Sequence, residues 1–318
     1  MLELRKKYET GVIDKNEFID SAMKFHTVLM QYPKIINKLK CVQGIHIIDK
    51  GVVLEIVDDL CMPKTVNMLL SSEKDSRCFS MHVLNFGSVE DNEMHILRRI
   101  TDVAEIRSFF DIGANEGWYS FHMMSRLPDV LCYSFEPIPE TYRRAKANLQ
   151  INGMPAENLF NIGLSDVEKK EIFYFDSAES GATSMHNIRE KKNITEVECS
   201  LRRLDNVAEE LGITSMDLMK IDVEGSELMV LKGGIHTIEK YKPIIFCEML
   251  RKWSSKFGYH PNDVIHLMEG VGYKCFVFNG AGGLKEFGYV TEETVETNYF
   301  FLHPEVHGNV INELLKDC

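Results

Sequence analysis

The sequence predicts an α/β fold in which helices cover both faces of a mostly parallel sheet. From residue 93 onward, β-rich runs alternate with segments of helical spacing, and this alternation is typical of a parallel sheet. An apolar run at 106–110 leads into a turn with two glycines four residues apart, and later apolar runs also end in acidic side chains. Because ligands bind beyond the carboxyl ends of parallel strands, these acids predict a site at one edge of the sheet.

Composition limits the class of protein. The chain has 318 residues, 44% of them hydrophobic, and a net charge of −12. This length allows one large domain with an appended part, and the acidic balance argues against nucleic acid as a partner. The eight cysteines lack the close spacing of zinc or redox motifs, which favours free thiols in a reducing compartment. With no signal-peptide core and no long apolar run, we expect a cytoplasmic protein without a membrane span.

Residues 1–92 are predicted to form an N-terminal extension of helix and β-hairpin. Apolar residues recur at near-helical spacing between 18 and 29, which indicates a helical segment within 1–40. The run "GIHIIDKGVVLEIV" has two β-rich halves around a polar link and indicates a hairpin. "VNMLLSS" and "CFSMHVLNFG" are expected to be extended. The apolar helix face could pack on its own domain or support a homodimer.

Residues 93–318 are predicted to form the second domain. Short β-rich runs bounded by Gly, Pro or Asp predict the strands "IRSFFDIG", "VLCYSFEP", "NLFNIGLSD", "MDLMKIDVEG", "PIIFCEML", "YKCFVFNG" and "TNYFFLHP". Helical spacing predicts helices over "EMHILRRITDVAE", "SFHMMSRL", "PETYRRAKANLQING", "SELMVLKGGIHTIEKY" and "PNDVIHLMEGVG". "KEIFYFD" starts a poorly patterned insert that ends near residue 198. We expect this insert to act as a substrate lid.

The turn in "FFDIGANEGWYS" is the first candidate ligand site. Gly113 and Gly117 allow a tight turn and a close approach of backbone to ligand. The turn lacks the G-x-G-x-x-G pattern, and Glu116 is expected to repel a diphosphate. Asp111 beside it suits a ligand with a cationic part, such as the ammonium group of a methionine. A Walker turn is absent, so nucleoside triphosphate hydrolysis is not expected.

An acid at the end of the second predicted strand indicates a ribose site. Glu136 follows Asp111 by 25 residues, and a carboxylate there can accept both ribose hydroxyls. With the glycine turn, it predicts an adenosine-containing ligand. The other strand ends supply Ser165, Asp166, Asp222, Glu224 and Glu248. For Asp222 and Glu224 the alternative role is to complement the dipole of the following helix.

These segments occur in the order and spacing of a known family. On "DIGANEGWYS", "SFEPIPETYRRAKANLQING", "NIGLSD", "LRRLDNV", "MDLMKIDVEGSELMVLKGG" and "KPIIFCEM", the chain closely resembles the FkbM-type family of S-adenosylmethionine-dependent methyltransferases over about residues 93–303. The resemblance implies a class I methyltransferase fold, Rossmann-like and seven-stranded, with one reversed strand. It also implies S-adenosylmethionine as methyl donor and O-methylation of a sugar or secondary-metabolite hydroxyl, so the expected partner is a small-molecule or glycan acceptor.

The resemblance assigns cofactor-binding roles by position. The methionine part would face Asp111, Gly113, Asn115 and Gly117. The ribose would be held by Glu136 beside Pro137, the adenine would lie near Ser165 and Asp166, and Asp222 would close the pocket on the methyl side. Glu116 and Trp118 depart from the usual family pattern and are expected to alter the pocket wall.

A hydroxyl acceptor must lose a proton during methyl transfer. A carboxylate or histidine near the methyl group could take it as general base. The candidates are Asp222, Glu224, Glu248 and His186, with His260 as a further histidine; His122 is expected to serve packing. A Mg²⁺ ion held by the three carboxylates is the less favoured alternative.

Two other classes of protein compete with a methyltransferase. A nicotinamide-dependent oxidoreductase would also use a glycine turn and an acid after the second strand, but it predicts G-x-G-x-x-G and room for a pyrophosphate. A non-catalytic binding protein of the same fold would have lost the strand-end acids. The sequence shows neither pattern.

Overall fold

The computed structural model describes residues 1–62, 64–70, 75–76, 78–176 and 194–316. The helices are α1 Leu2–Glu9, α2 Lys15–Leu29, α3 Tyr32–Ile36, α4 Phe79–Phe86, α5 Asp91–Val103, α6 Trp118–Arg126, α7 Pro139–Ile151, α8 Leu204–Glu210, α9 Glu227–Gly233, α10 Ile235–Tyr241, α11 Arg251–Ser254, α12 Pro261–Gly270 and α13 Pro304–Leu314. The strands are β1 Val42–Ile48, β2 Gly51–Ile56, β3 Val66–Leu69, β4 Ser108–Ile112, β5 Leu131–Phe135, β6 Leu159–Phe160, β7 Gly163–Leu164, β8 Lys169–Phe175, β9 Thr195–Arg202, β10 Leu218–Ile221, β11 Ile244–Glu248, β12 Lys274–Phe278, β13 Leu284–Glu286 and β14 Asn298–Leu302.

The central sheet has the strand order β13-β12-β14-β11-β10-β4-β5-β6. Strands β6, β5, β4, β10 and β11 run parallel to one another. Strand β14 runs antiparallel between β11 and β12, which confirms the predicted mostly parallel sheet and supplies its predicted reversed strand, although the sheet has eight strands and not seven. The short strand β13 adds an antiparallel edge that the sequence did not predict. Strand β5, which follows β4 in the sequence, lies on one side of β4, and β10 lies on its other side. The ligand crevice is therefore expected beyond the carboxyl ends of β4 and β10.

Side chains alternate between two cores, one on each face of this sheet. Phe109 of β4 belongs to one core and its neighbour Phe110 to the other, and Phe300 and Phe301 of β14 divide in the same way. The first core includes side chains of α5, α6, α7 and α13, and the second includes side chains of α8, α9, α10 and α12. A sheet covered on both faces explains why its strands are continuously apolar.

The N-terminal segment forms helices followed by a three-stranded sheet. The predicted hairpin is confirmed: β1 pairs with β2 across a two-residue loop, Asp49-Lys50, and β3 then pairs with β2. The predicted helical stretch within 1–40 is three helices; Asp14 caps the start of α2, and Pro33 lies in the first turn of α3. Proline fits there because the first turn needs no N–H donor from it.

The prediction of an extended segment over 78–87 was wrong, because residues 79–86 form helix α4. The helix buries Ser80 and Val83, and Gly87 ends it in the left-handed conformation with φ of 85°. A glycine just past the last turn is a common helix stop. The apolar run in this segment was too short to separate a buried helix from a strand by periodicity.

The N-terminal sheet packs against the larger part of the chain. Leu54 and Met68 share a core with Trp118 and Phe121 of α6. Strand β3 is also tied to α7, because the backbone N–H of Leu69 donates to the side-chain oxygen of Asn148. No helix in the described ranges has the length and apolar character needed to cross a membrane.

Candidate active site

A cleft opens at the carboxyl ends of β4, β5 and β10. Its polar lining comes from Asn115, Glu136, Thr141, Asp222, Glu224 and Ser226, together with the backbone at Gly113 and Gly163. Its apolar lining comes from Ile112, Phe135, Pro137, Ile138, Leu164, Phe173, Leu201 and Val223. The cleft therefore combines an acidic end with apolar walls, at the place where the strand order predicts a ligand.

The glycine turn is held between two strands. Gly113 has φ of 82°, and a Cβ added to it would lie 1.8 Å from the carbonyl oxygen of Asp222. Glycine is therefore required here because the end of β4 touches the end of β10, whereas the sequence suggested close approach to a ligand. The N–H groups of Gly113 and Ala114 both donate to the carbonyl of Phe135. Gly117 also has φ of 82° and begins α6.

Two cleft-lining residues other than glycine adopt the left-handed conformation. Asn115 has φ of 48° and Glu224 has φ of 55°. Asparagine tolerates this region well, while glutamate enters it at a cost. Strained backbone of this kind concentrates at ligand sites, where the surrounding structure fixes it.

Glu136 accepts three hydrogen bonds at the edge of the cleft. Its Oε2 accepts the N–H of Asn115 at 2.9 Å, and its Oε1 accepts the N–H of Ile138 at 2.9 Å and the hydroxyl of Thr141 at 2.7 Å. The side chain is 6% exposed, and burial raises the pKa of Glu136 against the lowering effect of these hydrogen bonds. The carboxylate thus links the glycine turn to the start of α7.

Lys220 was missed by sequence analysis and lies at the centre of the acidic end. It is 3% exposed in β10, and its Nζ lies 3.3 Å from Asp222 Oδ2 and 3.7 Å from Asp111 Oδ1. It also donates to the carbonyl of Gly113 at 2.9 Å. Burial would lower the pKa of Lys220, but the charges of Asp222 and Asp111 raise it above its ordinary value. The signal was available, since lysine is costly in an otherwise apolar central strand unless it is paired.

Further carboxyl groups surround this lysine. Tyr119 donates a hydrogen bond to Glu90, which precedes α5, and its ring lies 5.1 Å from Lys220 Nζ. Burial raises the pKa of Glu90 to about 7. Burial and the nearby charges of Asp222 and Glu90 also raise the pKa of Glu248 at the end of β11. Sequence reasoning missed Glu90 because its segment carries no motif.

Asp111 lies behind the cleft. It is fully buried, and its Oδ2 accepts the hydroxyl of Ser120 at 2.5 Å while Lys220 pairs with its Oδ1. Burial raises the pKa of Asp111, and the charge of Lys220 opposes that effect. The structure therefore places this acid where it supports Lys220, and not among the side chains that line the cleft.

Glu116 corrects an expectation from the sequence. Its side chain is buried and pairs with Arg144 of α7, with Nη1 to Oε1 at 3.4 Å, and Arg144 also bonds Asp75 at 2.8 Å. Asn148 donates to the carbonyl of Glu116 at 2.8 Å. Glu116 consequently lies outside the cleft lining and carries a compensating cation, so it does not repel a diphosphate there, and Trp118 is likewise buried outside the lining.

The other predicted residues divide between the lining of the cleft and positions outside it. Of the cofactor candidates, Gly113, Asn115, Glu136, Pro137 and Asp222 line the cleft, as does Glu224. The candidates outside its lining are Asp111, Gly117, Ser165, Asp166 and Glu248. His186 and most of the expected lid fall outside the described residues. His260 caps α12, where its side chain accepts the N–H of Asn262.

Two apolar side chains of the cleft wall come from a third, small sheet that sequence analysis did not predict. Strands β7, β9 and β8 form this sheet in that order, and Phe173 of β8 and Leu201 of β9 face the cleft. Both strands border the stretch that the sequence marked as poorly patterned. Their pairing joins residues between 20 positions (Phe175 and Thr195) and 32 positions (Lys169 and Leu201) apart, which a local pattern does not reveal.

Comparison with known proteins identifies the family. The family model described as the methyltransferase FkbM domain matches residues 111–275, which is just over half of the chain. The chain therefore belongs to the FkbM methyltransferase family. The match contains the glycine turn, Glu136, Lys220 and Asp222, but not Glu90.

Individual relatives share a shorter stretch. The chain is 35% identical to the AMB antimetabolite synthetase AmbE of Pseudomonas aeruginosa over 39% of this chain and 7% of that protein. It is 29% identical to the 2-O-methyltransferase NoeI of Sinorhizobium fredii over 41% of this chain and 58% of that protein. It is 27% identical to the 31-O-demethyl-FK506 methyltransferase FkbM of Streptomyces tacrolimicus over 39% of this chain and 58% of that protein. The matched stretch spans less than two thirds of each relative's length.

Among solved structures, the chain is similar to that of methyltransferase FkbM from Methylobacillus flagellatus KT. The TM-score is 0.38 at 14% identity, over 72% of this chain and 56% of that one.

Proposed function

We propose that this FkbM-family protein transfers a methyl group from S-adenosylmethionine to a hydroxyl group of a sugar or another small metabolite. The observation that carries the proposal is the cleft, which places Glu136 and Asp222 at the carboxyl ends of β5 and β10, on either side of β4, with apolar walls beside them. The methyltransferase family supports the reaction class, and two relatives whose names specify O-methylation support oxygen as the acceptor atom.

The hydrogen-bonding capacity of Glu136 fits a ribose. A carboxylate offers about four acceptor sites, and three donors already occupy Glu136. Oε1 has two of these donors and Oε2 has one, so Oε2 can accept one ribose hydroxyl directly. The second hydroxyl would share a site with the N–H of Asn115 or displace it. Binding is then expected to move the glycine turn slightly.

The apolar walls fit a nucleoside base. Phe135, Leu164, Phe173 and Leu201 line the part of the cleft formed by β5 and the small sheet. An aromatic base buried against such side chains gains from the removal of apolar surface from water. We therefore place the adenine between β5 and the small sheet; Ser165 and Asp166, which were expected near the adenine, directly follow Leu164 but do not line the cleft.

The acidic end fits the methionine part and the reaction. Of the carboxylates there, Asp222 and Glu224 line the cleft, while Asp111 supports Lys220 from behind. S-adenosylmethionine, when bound, supplies a methyl group already activated on a sulfonium, so the protein mainly aligns the reactants. Asp222 is proposed to accept the proton of the acceptor hydroxyl. Lys220, 3.3 Å from Asp222, holds that carboxylate in place.

The test is a product analysis. The full chain is incubated with S-adenosylmethionine labelled with ¹³C in the methyl group and with a panel of sugars and hydroxylated metabolites, with Mg²⁺ or with a chelator. The proposal predicts an O-methyl signal in the NMR spectrum of at least one product. Label found only on nitrogen or carbon would contradict O-methylation. Hydride transfer from a nicotinamide cofactor, without methyl transfer, would contradict the reaction class.

A further inference from the structure

A buried cluster of Asp58, Cys61 and His122 lies between the N-terminal segment and helix α6. One possible ligand atom from each residue lies within 4.8 Å of the other two. Within the described part of the chain, no other group of three such side chains meets this condition. Aspartate, cysteine and histidine are the ligand types that zinc prefers. The sequence did not suggest this site, because 61 residues separate Cys61 from His122.

The side chains are oriented as metal ligands usually are. Asp58 Oδ1 accepts the N–H groups of Leu60 and Cys61 at 2.9 and 3.0 Å, which leaves Oδ2 to face His122. His122 Nδ1 lies 2.8 Å from the carbonyl oxygen of Trp118. Donation of Nδ1–H to a backbone carbonyl fixes the ring and presents the Nε2 lone pair, as in many metal sites. The backbone N–H of Asp58 donates to the sulfur of Cys61 at 3.3 Å.

Two ligand atoms at the centre of the cluster face each other. Asp58 Oδ2 and His122 Nε2 are buried and 2.8 Å apart, so without a metal they pair with each other. The His122 side chain is wholly buried. A carboxylate oxygen and an imidazole nitrogen that converge beside a thiol offer three ligand types to one ion.

We propose that Asp58, Cys61 and His122 bind one divalent transition-metal ion, with zinc the first candidate and a water molecule as fourth ligand. Binding forms bonds from the metal to Oδ2, Sγ and Nε2, and the thiol of Cys61 releases its proton to solvent. One carboxylate, one thiolate and a neutral imidazole balance the two positive charges, which suits a buried site. Metal–oxygen and metal–nitrogen bonds of about 2.0–2.1 Å span a tetrahedral edge of about 3.3 Å, so Oδ2 and Nε2 must move apart by about 0.5 Å.

The position of the site assigns it a structural role. His122 lies within the family match, on the helix that follows the glycine turn, whereas Asp58 and Cys61 precede the match. A bound ion would fasten the N-terminal segment to α6, and its binding free energy would add to the stability of that contact. This role is independent of the proposed methyl transfer.

The experiment measures metal binding to the full chain. Metal is removed with a chelator, Co²⁺ is titrated in as a spectroscopic probe, and Zn²⁺ is then used to displace it. The test variant is Cys61→Ser, which nearly keeps the shape and removes the sulfur ligand. The control is Cys78→Ser, because Cys78 is also a buried thiol of the N-terminal segment and is the N-cap residue of α4, where serine is favourable. Thermal unfolding of each protein, with and without Zn²⁺, shows whether the variants fold.

The expected result is one Co²⁺ per chain with a sulfur-to-metal charge-transfer band, and its loss on addition of Zn²⁺. The band should be absent in Cys61→Ser, with Co²⁺ affinity reduced by more than about 100-fold, since loss of outer-shell partners alone costs 10–100-fold. Cys78→Ser should behave as wild type. No stoichiometric Co²⁺ binding by the wild-type chain, or a band that persists in Cys61→Ser, would overturn the proposal and leave an aspartate–histidine ion pair.

Discussion

Lys220 Nζ lies 3.3 Å from Asp222 Oδ2 at the end of β10, where the lysine is almost completely buried. The same ammonium lies 3.7 Å from Asp111 Oδ1 on the neighbouring strand. One buried cation thus connects the two acids that sequence analysis assigned separately to the cofactor.

Lys220→Met is expected to destabilise the fold strongly. The change leaves buried carboxylates without their cation, and loss of one partner of a buried ion pair typically costs about 3–5 kcal/mol. The measurement is the free energy of unfolding in denaturant, compared with Lys232→Met on the exposed face of α9. The control should change stability by less than about 0.5 kcal/mol. Equal effects of the two changes would show that the Lys220 pair contributes little.

Gly113→Ala separates steric overlap from backbone strain. A methyl group at 113 would lie 1.8 Å from the carbonyl oxygen of Asp222, whereas one at Gly153 would have no neighbour within 4 Å. Both glycines have positive φ, so both alanine variants carry a strain cost of about 1–2 kcal/mol. Gly113→Ala should cost about 1–3 kcal/mol more, because β4 and β10 must separate. If the denaturation midpoint falls by the same amount in the two variants, steric overlap at residue 113 does not contribute, which would contradict this explanation.

Glu136→Ala is expected to abolish or strongly weaken binding of S-adenosylmethionine. Hydrogen bonds to a charged group contribute about 1.5–3 kcal/mol, so the affinity should fall by about 10- to 100-fold or more. Glu136→Gln should lose less, because it keeps the size of the side chain and one acceptor oxygen, although its amide nitrogen must then face a donor that Glu136 now accepts. Equilibrium binding is measured on folded variants, with exposed Glu157→Ala as control. Unchanged affinity in folded Glu136→Ala would remove this residue from the site.

Asp222→Asn tests the proposed general base. The variant keeps the size of the side chain, and we expect a folded protein whose turnover is lower by about 10²- to 10⁴-fold. The measurement is kcat with a methyl acceptor, together with cofactor affinity, which should change far less. The exposed Glu239→Gln on α10 is the control. Full turnover by Asp222→Asn would exclude Asp222 from proton removal.

Glu227 predicts a pH dependence of stability. It is 2% exposed, and its carboxyl accepts the N–H of Gly225 and the hydroxyl of Tyr259, both at 2.8 Å. Burial raises its pKa from 4.5 to about 7, so the folded state holds the proton more tightly than the unfolded state. This group therefore contributes stability below pH 4.5 that is lost as the pH rises to about 7, by up to about 3 kcal/mol.

Glu227→Gln provides the comparison for that pH effect. The amide keeps the shape and cannot ionise, so the variant should gain stability relative to wild type as the pH rises from 5 to 8. Denaturant midpoints at a series of pH values measure this difference. A difference that stays constant with pH would show that Glu227 does not titrate in this range.

Much of the fold was predictable because the central strands are buried on both faces. The apolar runs around Phe109 and Phe246 alternate along the chain with helical segments, and this pattern predicts buried parallel strands, which both runs form. Helix α4 was not predictable in the same way, since its short apolar run fits a helix or a strand equally well. Strands β8 and β9 pair across a segment of weak pattern, so their contribution to the cleft depended on tertiary contacts.

The site was predictable where a side chain follows a strand directly. Glu136 and Asp222 belong to this class, and both line the cleft. Glu116 was misplaced because residue spacing does not reveal that Arg144 lies on the adjacent helix. Glu90 reaches the site from the segment before α5, which has no motif. The sequence thus indicates the site residues that directly follow a strand, but not the residues of distant segments that contact them in the fold.

The most direct test of the central claim is calorimetric titration of the full chain with S-adenosylmethionine and S-adenosylhomocysteine, with NAD as the comparison ligand. Our account predicts saturable binding of one S-adenosyl ligand per chain, weakened by Glu136→Ala, and no binding of NAD. A folded chain that binds neither S-adenosyl ligand, or that binds NAD in their place, would contradict the account.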